Sequence, residues 1–348
     1  WRFARSERRD SRVAEPRGIP NPRVVPVTPA STDDVRDPTT WSVEDLLAAK
    51  HRGGHHVTVV IPARDEESTV GSVVEVVRRA WVDEVPLVDE LVVIDSDSVD
   101  ATAERARSAG AIVHGACDIR PDLGPAQGKG EALWKALHVT TGDVLAFLDA
   151  DLIEWGPHFV PALLGPLLLE PGIQLVKAVY HRPLLDATGR EAETGGRVTE
   201  LVARPLLALN APELAHIIQP LSGEWAIRRS AFARMFVPVG YGVEIAALLD
   251  TTSAHGPEAI AQVDLGRRAH RHHRHDTLGP MAVQVMAAVE RRLGERSAAD
   301  AGVVALQQFD PVEGGFAARW RQVDVAERPP AISLDPLAEV DPRRRDDT

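Results

Sequence analysis

The sequence contains little cysteine, few aromatic residues and no long apolar run, and each absence excludes a class of protein. A single cysteine, Cys117, stands among 348 residues, which excludes an intramolecular disulfide framework and a cysteine-built zinc site. No apolar run approaches the roughly 20 residues that cross a bilayer. The N-terminus is rich in arginine and has no signal-peptide core. We therefore expect a soluble protein with no membrane span, located in the cytoplasm.

The charge balance is acidic, at −12 from 51 acidic and 39 basic residues. A general phosphate-backbone binder needs the opposite balance, so we expect no nucleic-acid partner. Basic residues are nevertheless concentrated between positions 267 and 275, where every residue except Ala269 is arginine or histidine. This stretch is either a solvated loop or the wall of a pocket for an anionic ligand.

Between residues 57 and 149, short β-branched runs alternate with amphipathic segments, a pattern typical of an α/β fold with a mostly parallel sheet. The predicted strands are 57–62, 90–95, 111–113 and 144–149, with a further strand at 173–180. The predicted helices are 41–50, capped by Ser42, and 65–80, 100–109, 130–140, 159–169, 199–209, 241–249 and 281–293. Residues 1–40 and those from about 329 onward are rich in proline and charge, which predicts an arm and a tail.

Polar residues follow the predicted strands at their carboxyl ends, where ligands bind in sheets of this kind. Asp149 and Asp151 emerge after one strand, and oxygen ligands of this type suit Mg²⁺ or Mn²⁺ shared with substrate phosphates. Such a metal neutralises charge on a leaving nucleotide diphosphate. An Asp-x-Asp pair alone is a weak signal, and its position at a strand end strengthens it. The first strand is followed by no Gly-x-Gly-x-x-Gly turn or phosphate-binding Gly-Lys-Ser/Thr loop, which disfavours a dinucleotide dehydrogenase or a P-loop enzyme.

Two further groups belong to the same predicted edge. Asp95 and Ser96 follow the second strand and are assigned to the nucleotide, whereas Ser98 or Asp100 is expected to cap the next helix. Lys129 lies between two glycines. Its ammonium either meets a phosphate or sugar hydroxyl, or is simply an exposed lysine at a helix start.

Five blocks, in order, resemble one known family. They are Gly-Lys-Gly-Glu-Ala-Leu-Trp at 128–134, Thr-Gly-Gly-Arg-Val-Thr-Glu-Leu-Val-Ala-Arg-Pro-Leu-Leu at 194–207, Gln-Pro-Leu-Ser-Gly-Glu at 219–224, Gly-Tyr-Gly-Val-Glu-Ile at 240–245 and Arg-Ala-His-Arg at 268–271. Together they closely resemble the actinobacterial glucosyl- and mannosyl-3-phosphoglycerate synthases, from about residue 57 to about residue 293.

The resemblance implies a GT-A fold, α/β and Rossmann-like, with a C-terminal acceptor-binding and dimerisation extension. It implies a retaining transfer of glucose or mannose from a UDP- or GDP-sugar to the 2-hydroxyl of 3-phospho-D-glycerate, a divalent metal (Mg²⁺ or Mn²⁺) and a homodimer. The chain then divides into an N-terminal arm with a short helix (1–55), a nucleotide-sugar half (56–152), an acceptor-binding and metal-completing half (153–295) and a C-terminal extension (296–348).

The same resemblance assigns site residues. The catalytic residues are Glu244 and Asp149. The donor-binding residues are Pro62, Ala63, Arg64, Asp65, Glu66, Ser96, Lys129, Asp149 and Ala150. The acceptor-binding residues are Gly196, Arg197, Thr199, Arg271 and His272, and the metal ligands are Asp151 and His270. An arginine after glycines and before a helix suits a phosphate or carboxylate.

Three positions depart from the mycobacterial-type members: His272 replaces asparagine, two glycines precede Arg197 instead of three, and Arg64-Asp65 replaces Leu-Asn. The first two departures concern the acceptor contacts, and the third concerns the nucleobase pocket, so the donor nucleobase stays open. No residue of the sequence decides between glucose and mannose. Other hypotheses are a GT-A transferase acting on a lipid phosphate or polysaccharide precursor, a nucleotidyltransferase and a sugar-nucleotide sensor. The second of these requires a glycine-rich basic loop after the first strand, where 61–66 reads Ile-Pro-Ala-Arg-Asp-Glu.

Overall fold

The structure is a computed structural model that describes residues 35–181, 183–185, 191–193, 196–267, 275–294, 302–312 and 315–334. Its strands are β1 (Val35–Arg36), β2 (Val57–Ala63), β3 (Glu90–Asp95), β4 (Ile112–Gly115), β5 (Val144–Phe147), β6 (Leu175–His181), β7 (Pro183–Leu185), β8 (Glu191–Glu193), β9 (Trp225–Arg228), β10 (Val237–Pro238), β11 (Ile260–Arg267), β12 (Val303–Val312), β13 (Gly315–Asp324) and β14 (Glu327–Arg328). Its α-helices are α1 (Val43–Gly53), α2 (Val70–Arg78), α3 (Thr102–Ser108), α4 (Lys129–Ala136), α5 (Phe159–Leu169), α6 (Arg204–Asn210), α7 (Arg229–Phe232), α8 (Val243–His255) and α9 (His275–Leu293).

Eight strands form one sheet in the order β1-β11-β6-β9-β5-β2-β3-β4. All neighbouring pairs are parallel except those of β9, which runs antiparallel between β5 and β6. The predicted mostly parallel α/β sheet is confirmed. Strands from both predicted halves of the chain, 56–152 and 153–295, share this sheet, so that division stays a prediction.

The core lies on both faces of the sheet because alternate side chains of each strand point to opposite faces. On β2, Val57, Val59 and Ile61 pack with α1, α2, α3 and α5, whereas Val60 packs on the other side with α4, α6, α8 and α9. Each of these four valine and isoleucine side chains is fully buried. The carboxyl ends of the parallel strands are thereby held at one rigid edge.

Most observed helices begin or end at other residues than predicted, and two of their starts are informative. Helix α1 begins at Val43 after the cap residue Ser42, whose side chain accepts the Asp45 amide while the Asp45 carboxylate accepts the Ser42 amide, so the predicted cap is confirmed. The helix predicted from residue 65 begins only at Val70. Asp65 has a φ of 55°, a left-handed conformation that a helix cannot contain, so residues 65–69 form a loop at the ligand edge.

Parts of the predicted arm and tail are ordered. Residues 35–36 form the edge strand β1, and Arg36 donates two hydrogen bonds to Glu170 at 2.8 Å each. The tail predicted from residue 329 is wrong as far as residue 334, because Ala331 is fully buried. Trp134 Nε1 also donates to the Pro329 carbonyl at 2.9 Å.

The C-terminal extension contains an antiparallel hairpin, β12–β13, that was not predicted. It packs on α9, where Ala287 and Val323 are buried together. In the part of the chain that the structure describes, no helix is both long and apolar enough to span a membrane.

Candidate active site

The ends of β2, β3 and β5 bring three polar segments to one edge of the sheet. Ala63 pairs with Asp95 in the parallel register, and the Ser96 amide donates to the Ala63 carbonyl at 2.8 Å. The Leu148 amide donates to Val60 at 3.1 Å, which places the following residue, Asp149, beside β2. Segments 62–66, 95–98 and 149–151 therefore meet, as predicted from the alternation of strands and helices.

The loop after β2 is fixed by the loop after β3. Ser98 Oγ accepts the Asp65 amide at 2.9 Å, and Asp65 in turn accepts the Val99 amide at 2.9 Å. Asp100 Oδ1 accepts the Thr102 amide at 3.0 Å, so Asp100 serves the start of α3 as predicted, whereas Ser98 holds the neighbouring loop. Asp65 therefore holds the loops after β2 and β3 together.

Arg64 and Asp95, both assigned to the nucleotide, differ in their contacts. Arg64 is half exposed and donates to Gln127 Oε1 at 3.2 Å, which connects the β2 loop to the segment before α4. The buried Oδ1 of Asp95 has no hydrogen-bond partner among the residues that the structure describes.

Lys129 is the centre of a charged cluster. Its ammonium lies 2.6 Å from Asp149 Oδ1 and 3.0 Å from Glu244 Oε1. We call Lys129, Asp149 and Glu244 the Lys129 cluster. Only 14% of the Lys129 side chain is exposed, so the alternative of a solvated lysine at a helix start is wrong. The cluster joins α4, the segment after β5 and α8, and Lys129 and Glu244 lie more than a hundred residues apart in sequence.

The two glycines beside Lys129 explain why it can lie so deep. Gly128 has a φ of 140°, and a Cβ on it would lie 2.5 Å from the Val239 carbonyl oxygen. A Cβ on Gly130 would lie 1.8 Å from the Pro238 carbonyl oxygen. Side chains at either position would push α4 away from the segment that leads into α8.

Electrostatics keeps Lys129 charged. Burial opposes its charge, but the nearby carboxylates of Asp149 and Glu244 outweigh that effect and raise the pKa of Lys129 above its ordinary value. Glu224 adds to the same effect. The ammonium is therefore a permanent positive charge at neutral pH, positioned among groups of opposite sign.

Tyr241, in the loop before α8, belongs to the same site and was not assigned from the sequence. Burial raises the pKa of its phenol, and the ammonium of Lys129 partly opposes this increase. The carboxylates of Asp149, Glu244 and Asp151 raise it further. Tyr241 therefore lies within electrostatic range of the Lys129 cluster and of Asp151.

Comparisons with known proteins agree with this geometry. The glycosyl transferase family 2 profile matches residues 58–236. A glucosyl-3-phosphoglycerate synthase from Mycolicibacterium smegmatis is 48% identical over 305 residues, covering 88% of this chain and 98% of the relative.

The chain belongs to the glucosyl-3-phosphoglycerate synthase family.

Solved structures of this family extend the likeness to three dimensions. The Mycobacterium tuberculosis glucosyl-3-phosphoglycerate synthase with Mn²⁺, UDP-glucose and phosphoglyceric acid superposes with a TM-score of 0.73 at 43% identity, covering 85% of this chain and 96% of that one. The same enzyme with Mg²⁺ and UDP has a TM-score of 0.74 at 44% identity and the same coverage. The expected GT-A fold and the resemblance to glycosyl-3-phosphoglycerate synthases are confirmed, and the chain is a glycosyltransferase.

The predicted acceptor and metal residues of this family member are only partly described. Gly196, Arg197 and Thr199 lie at the start of the helical segment that continues into α6, with Arg197 exposed and Gly196 accepting the Glu200 amide at 3.0 Å. The predicted position before a helix is confirmed, and their contact with an acceptor stays a prediction. The other predicted residues lie outside the described residues: His270, Arg271 and His272.

The oxygen donors at the edge fit a hard divalent cation. Asp151 lies in the turn after β5, within electrostatic range of Tyr241, whereas Asp149 is bound by Lys129. Carboxylates with substrate phosphates are the ligands that Mg²⁺ and Mn²⁺ prefer. Among the described residues no group of three or more His, Cys, Asp or Glu side chains is arranged to hold a metal, so Asp151 requires ligands from elsewhere.

Sequence reasoning missed two buried charges behind the Lys129 cluster, Glu224 and Lys177. Glu224 is fully buried, and Lys177 is 1% exposed. One signal was present: Lys177 is the one charged residue in the predicted strand 173–180, where six of the other seven residues are apolar or aromatic. Lysine is rarely buried unless it is paired.

Proposed function

We propose that the chain transfers glucose from UDP-glucose to the 2-hydroxyl of 3-phospho-D-glycerate, with retention of configuration at the anomeric carbon. The observation that carries the proposal is the Lys129 cluster at the ligand edge of the sheet. The proposal is supported by a relative that is 48% identical to this chain, with the match covering 98% of the relative. A crystal structure of one such relative contains UDP-glucose and phosphoglyceric acid together. This supports a UDP donor and a glucosyl group over the GDP- and mannosyl options.

The donor is assigned to the ends of β2, β3 and β5 and to α4. We assign the base and ribose to Pro62, Ala63, Arg64, Asp65, Glu66 and Ser96. The buried Oδ1 of Asp95, which has no hydrogen-bond partner among the described residues, is assigned to accept an N–H of the base. Lys129 and the Asp149-Ala150 segment lie deeper and are assigned to the diphosphate and the sugar. A charged ammonium held in a low-dielectric site stabilises the negative charge of a leaving diphosphate.

The metal is assigned to Asp151, with His270 as its expected second protein ligand. When bound, Mg²⁺ or Mn²⁺ supplies positive charge at the diphosphate. The protein's own contribution is to hold Asp151 in the short turn that follows β5, a strand that is buried throughout.

Glu244 is assigned to the acceptor side of the donor sugar. Its carboxylate is 4% exposed and anchored by Lys129 at 3.0 Å, which fixes its direction. A fixed carboxylate orients an acceptor hydroxyl through a hydrogen bond or stabilises positive charge that develops on the sugar. The acceptor's own charges are assigned to Gly196, Arg197, Thr199, Arg271 and His272.

The assembly and the location are also proposals. We propose a homodimer. It is supported by apolar side chains that are exposed in the single chain, such as Trp320 on the C-terminal extension at 64% and Leu209 on α6 at 80%. A cytoplasmic location is supported by the chemistry of the proposed substrates. We assign 56–152 to the donor and 153–295 to the acceptor, with 296–348 as an extension.

The test is a nucleotide-release assay with purified protein and Mg²⁺ or Mn²⁺. UDP-, GDP- and ADP-glucose and GDP-mannose are each tried with 3-phosphoglycerate, with a lipid phosphate acceptor and with water. We expect release from UDP-glucose only when 3-phosphoglycerate is present, and none after metal chelation. Equal release with every acceptor would reject the proposed acceptor, and faster release from GDP-mannose would reject the proposed donor.

A further inference from the structure

Lys177 is a buried ammonium in the centre of the mixed sheet. It lies on β6, where its register partners are Trp225 on β9 and Gln262 on β11. Only 1% of its surface is exposed. A lysine buried in this way is costly to the fold, because its charged form loses hydration.

The contacts of Lys177 lead directly to the Lys129 cluster. Its Nζ donates to the Ser222 carbonyl at 2.9 Å and lies 5.7 Å from the centre of the Trp225 ring. Residues 222–224, which we call the 222–224 turn, connect this contact to the site. On the other side of the turn, Lys129 Nζ donates to the Gly223 carbonyl at 3.3 Å. Two lysines therefore hold consecutive carbonyls of one turn.

The 222–224 turn has little freedom to move without disturbing the site. A Cβ on Gly223 would lie 2.2 Å from Asp149 Oδ2, so the turn backbone is in close contact with that carboxylate. Glu224, at the end of the turn, is fully buried. A shift of the turn would move the surroundings of Asp149 and Lys129 together.

The charges around Lys177 are unequal in number. It shares one field with the ammonium of Lys129 and with carboxylates from three different elements: Glu244 on α8, Glu224 in the turn and Asp149 after β5. With Lys177 charged, three carboxylates face two ammonium groups; with Lys177 neutral, they face one.

We propose that Lys177 is a positioning residue for glucosyl transfer: its buried ammonium fixes the 222–224 turn and balances Glu224 and Glu244, so that Lys129 and Asp149 keep their places. This inference rests on the proposed function. Lys177 does not touch a substrate. It acts through the turn, and displacements on the order of 1 Å in a catalytic arrangement cost about 100-fold in rate.

The pKa of Lys177 determines the pH range in which its ammonium is charged. Burial lowers the pKa to about 7, and the ammonium of Lys129 acts in the same direction. The carboxylates of Glu244, Glu224 and Asp149 oppose this effect. The charged form therefore predominates below pH 7 and declines as the pH rises through 7.

Three substitutions separate charge from hydrogen bonding. Lys177→Met removes both, Lys177→Gln keeps a donor for the Ser222 carbonyl without the charge, and Lys177→Arg keeps both. Lys50→Met is the matched control, because Lys50 is also buried and donates to a carbonyl, that of Pro86 at 2.9 Å, at the opposite edge of the sheet.

The measurement is kcat and KM for 3-phosphoglycerate-dependent UDP release at pH 6.5, with UDP affinity by calorimetry. We expect Lys177→Met to lower kcat by between about 10-fold and about 100-fold, with KM for UDP-glucose and UDP affinity within about threefold of wild type. Lys177→Arg should recover more of kcat than Lys177→Gln. Lys50→Met should leave kcat within about twofold of wild type while it lowers stability.

Two results would overturn the inference. One is a Lys177→Met protein with wild-type kcat. The other is equal kcat for Lys177→Gln and Lys177→Arg, which would show that the charge has no role, and this comparison holds even if Lys177→Met fails to fold. Absence of transfer in the wild-type protein would instead reject the proposed function, and this inference with it.

Discussion

Two charged clusters begin on the same turn of α4 and differ in the sign of their excess charge. The Lys129 cluster contains one ammonium and two carboxylates and faces the ligand edge. Two residues later, Glu131 accepts two hydrogen bonds from Arg328, at 2.7 and 2.8 Å, and pairs with Lys135 at 3.3 Å. We call Glu131, Arg328 and Lys135 the Glu131 cluster.

The difference between the clusters separates function from stability. The Glu131 cluster has one carboxylate and two cations, and both cations also donate to backbone carbonyls: Arg328 to those of Leu123 and Gly124 at 2.8 Å each, and Lys135 to that of Ala116. These bonds attach the C-terminal segment to the core. The Lys129 cluster has one ammonium and two carboxylates at the ligand edge, and its excess negative charge suits a bound cation. Buried groups with strongly shifted pKa values, such as Lys129, are typical of functional sites.

The largest expected effect is on the Lys129 cluster. Lys129→Met removes the positive charge between Asp149 and Glu244, so we expect kcat to fall by about 100- to 1,000-fold, the usual cost of removing one electrostatic stabiliser of a transition state. The measurement is steady-state UDP release. Thermal unfolding of the same protein is the control, and a folded Lys129→Met protein with wild-type kcat would contradict the assignment.

A slightly smaller effect is expected at Gly223. Gly223→Ala places a Cβ against Asp149, whose Oδ2 would lie 2.2 Å away, so we expect kcat to fall by about 10- to 100-fold. Gly172→Ala is the matched control because its Cβ would meet no atom within 4 Å. Equal kcat in the two variants would show that the turn does not position Asp149.

The Glu131 cluster should respond in stability instead. Arg328→Met leaves the buried Glu131 with Lys135 alone, and breaking a buried pair costs about 3 kcal/mol or more of unfolding free energy. The exposed Arg52→Met should change it by less than about 0.5 kcal/mol. Denaturant unfolding gives both values. A large loss of kcat in folded Arg328→Met protein would show that the two clusters are not separate.

The pH dependence of the unfolding free energy tests the lowered pKa of Lys177, and we expect an effect similar in size to that of Arg328→Met. The pKa of Lys177 is about 7 in the folded protein and 10.5 ordinarily, so the unfolded chain holds a proton that the folded chain releases between these values. Stability of wild type relative to Lys177→Met should therefore rise with pH, by about 3 kcal/mol from pH 7 to 9.5. A difference that is constant with pH would contradict a lowered Lys177 pKa.

The sequence predicted the ligand edge well because strand ends are marked locally. The apolar runs that end at Asp95 and before Asp149 identify their strands, and alternation with helices implies a parallel sheet in which those ends meet. Lys129 was found through its flanking glycines, although its depth was not. That depth depends on the packing of α4 against residues 238–240, which no local pattern reveals.

The missed features all depend on contacts between distant residues. Lys177 and Glu224 stand in short segments that look like an ordinary strand and turn, and only the antiparallel insertion of β9 beside β6 brings them behind the site. The order at Pro329 and Ala331 was missed for a similar reason. A proline- and charge-rich composition predicts a tail, but Glu131 neutralises Arg328 and Trp134 binds the Pro329 carbonyl.

Product analysis tests the proposed role of the Lys129 cluster most directly. Wild-type protein and Lys129→Met are incubated with UDP-glucose, 3-phosphoglycerate and Mn²⁺, and the products are identified by NMR and mass spectrometry. We expect an α-glucosyl group on the 2-hydroxyl of 3-phosphoglycerate from wild type and little or none from Lys129→Met. A β-linkage, a different acceptor position, or equal product from both proteins would contradict it.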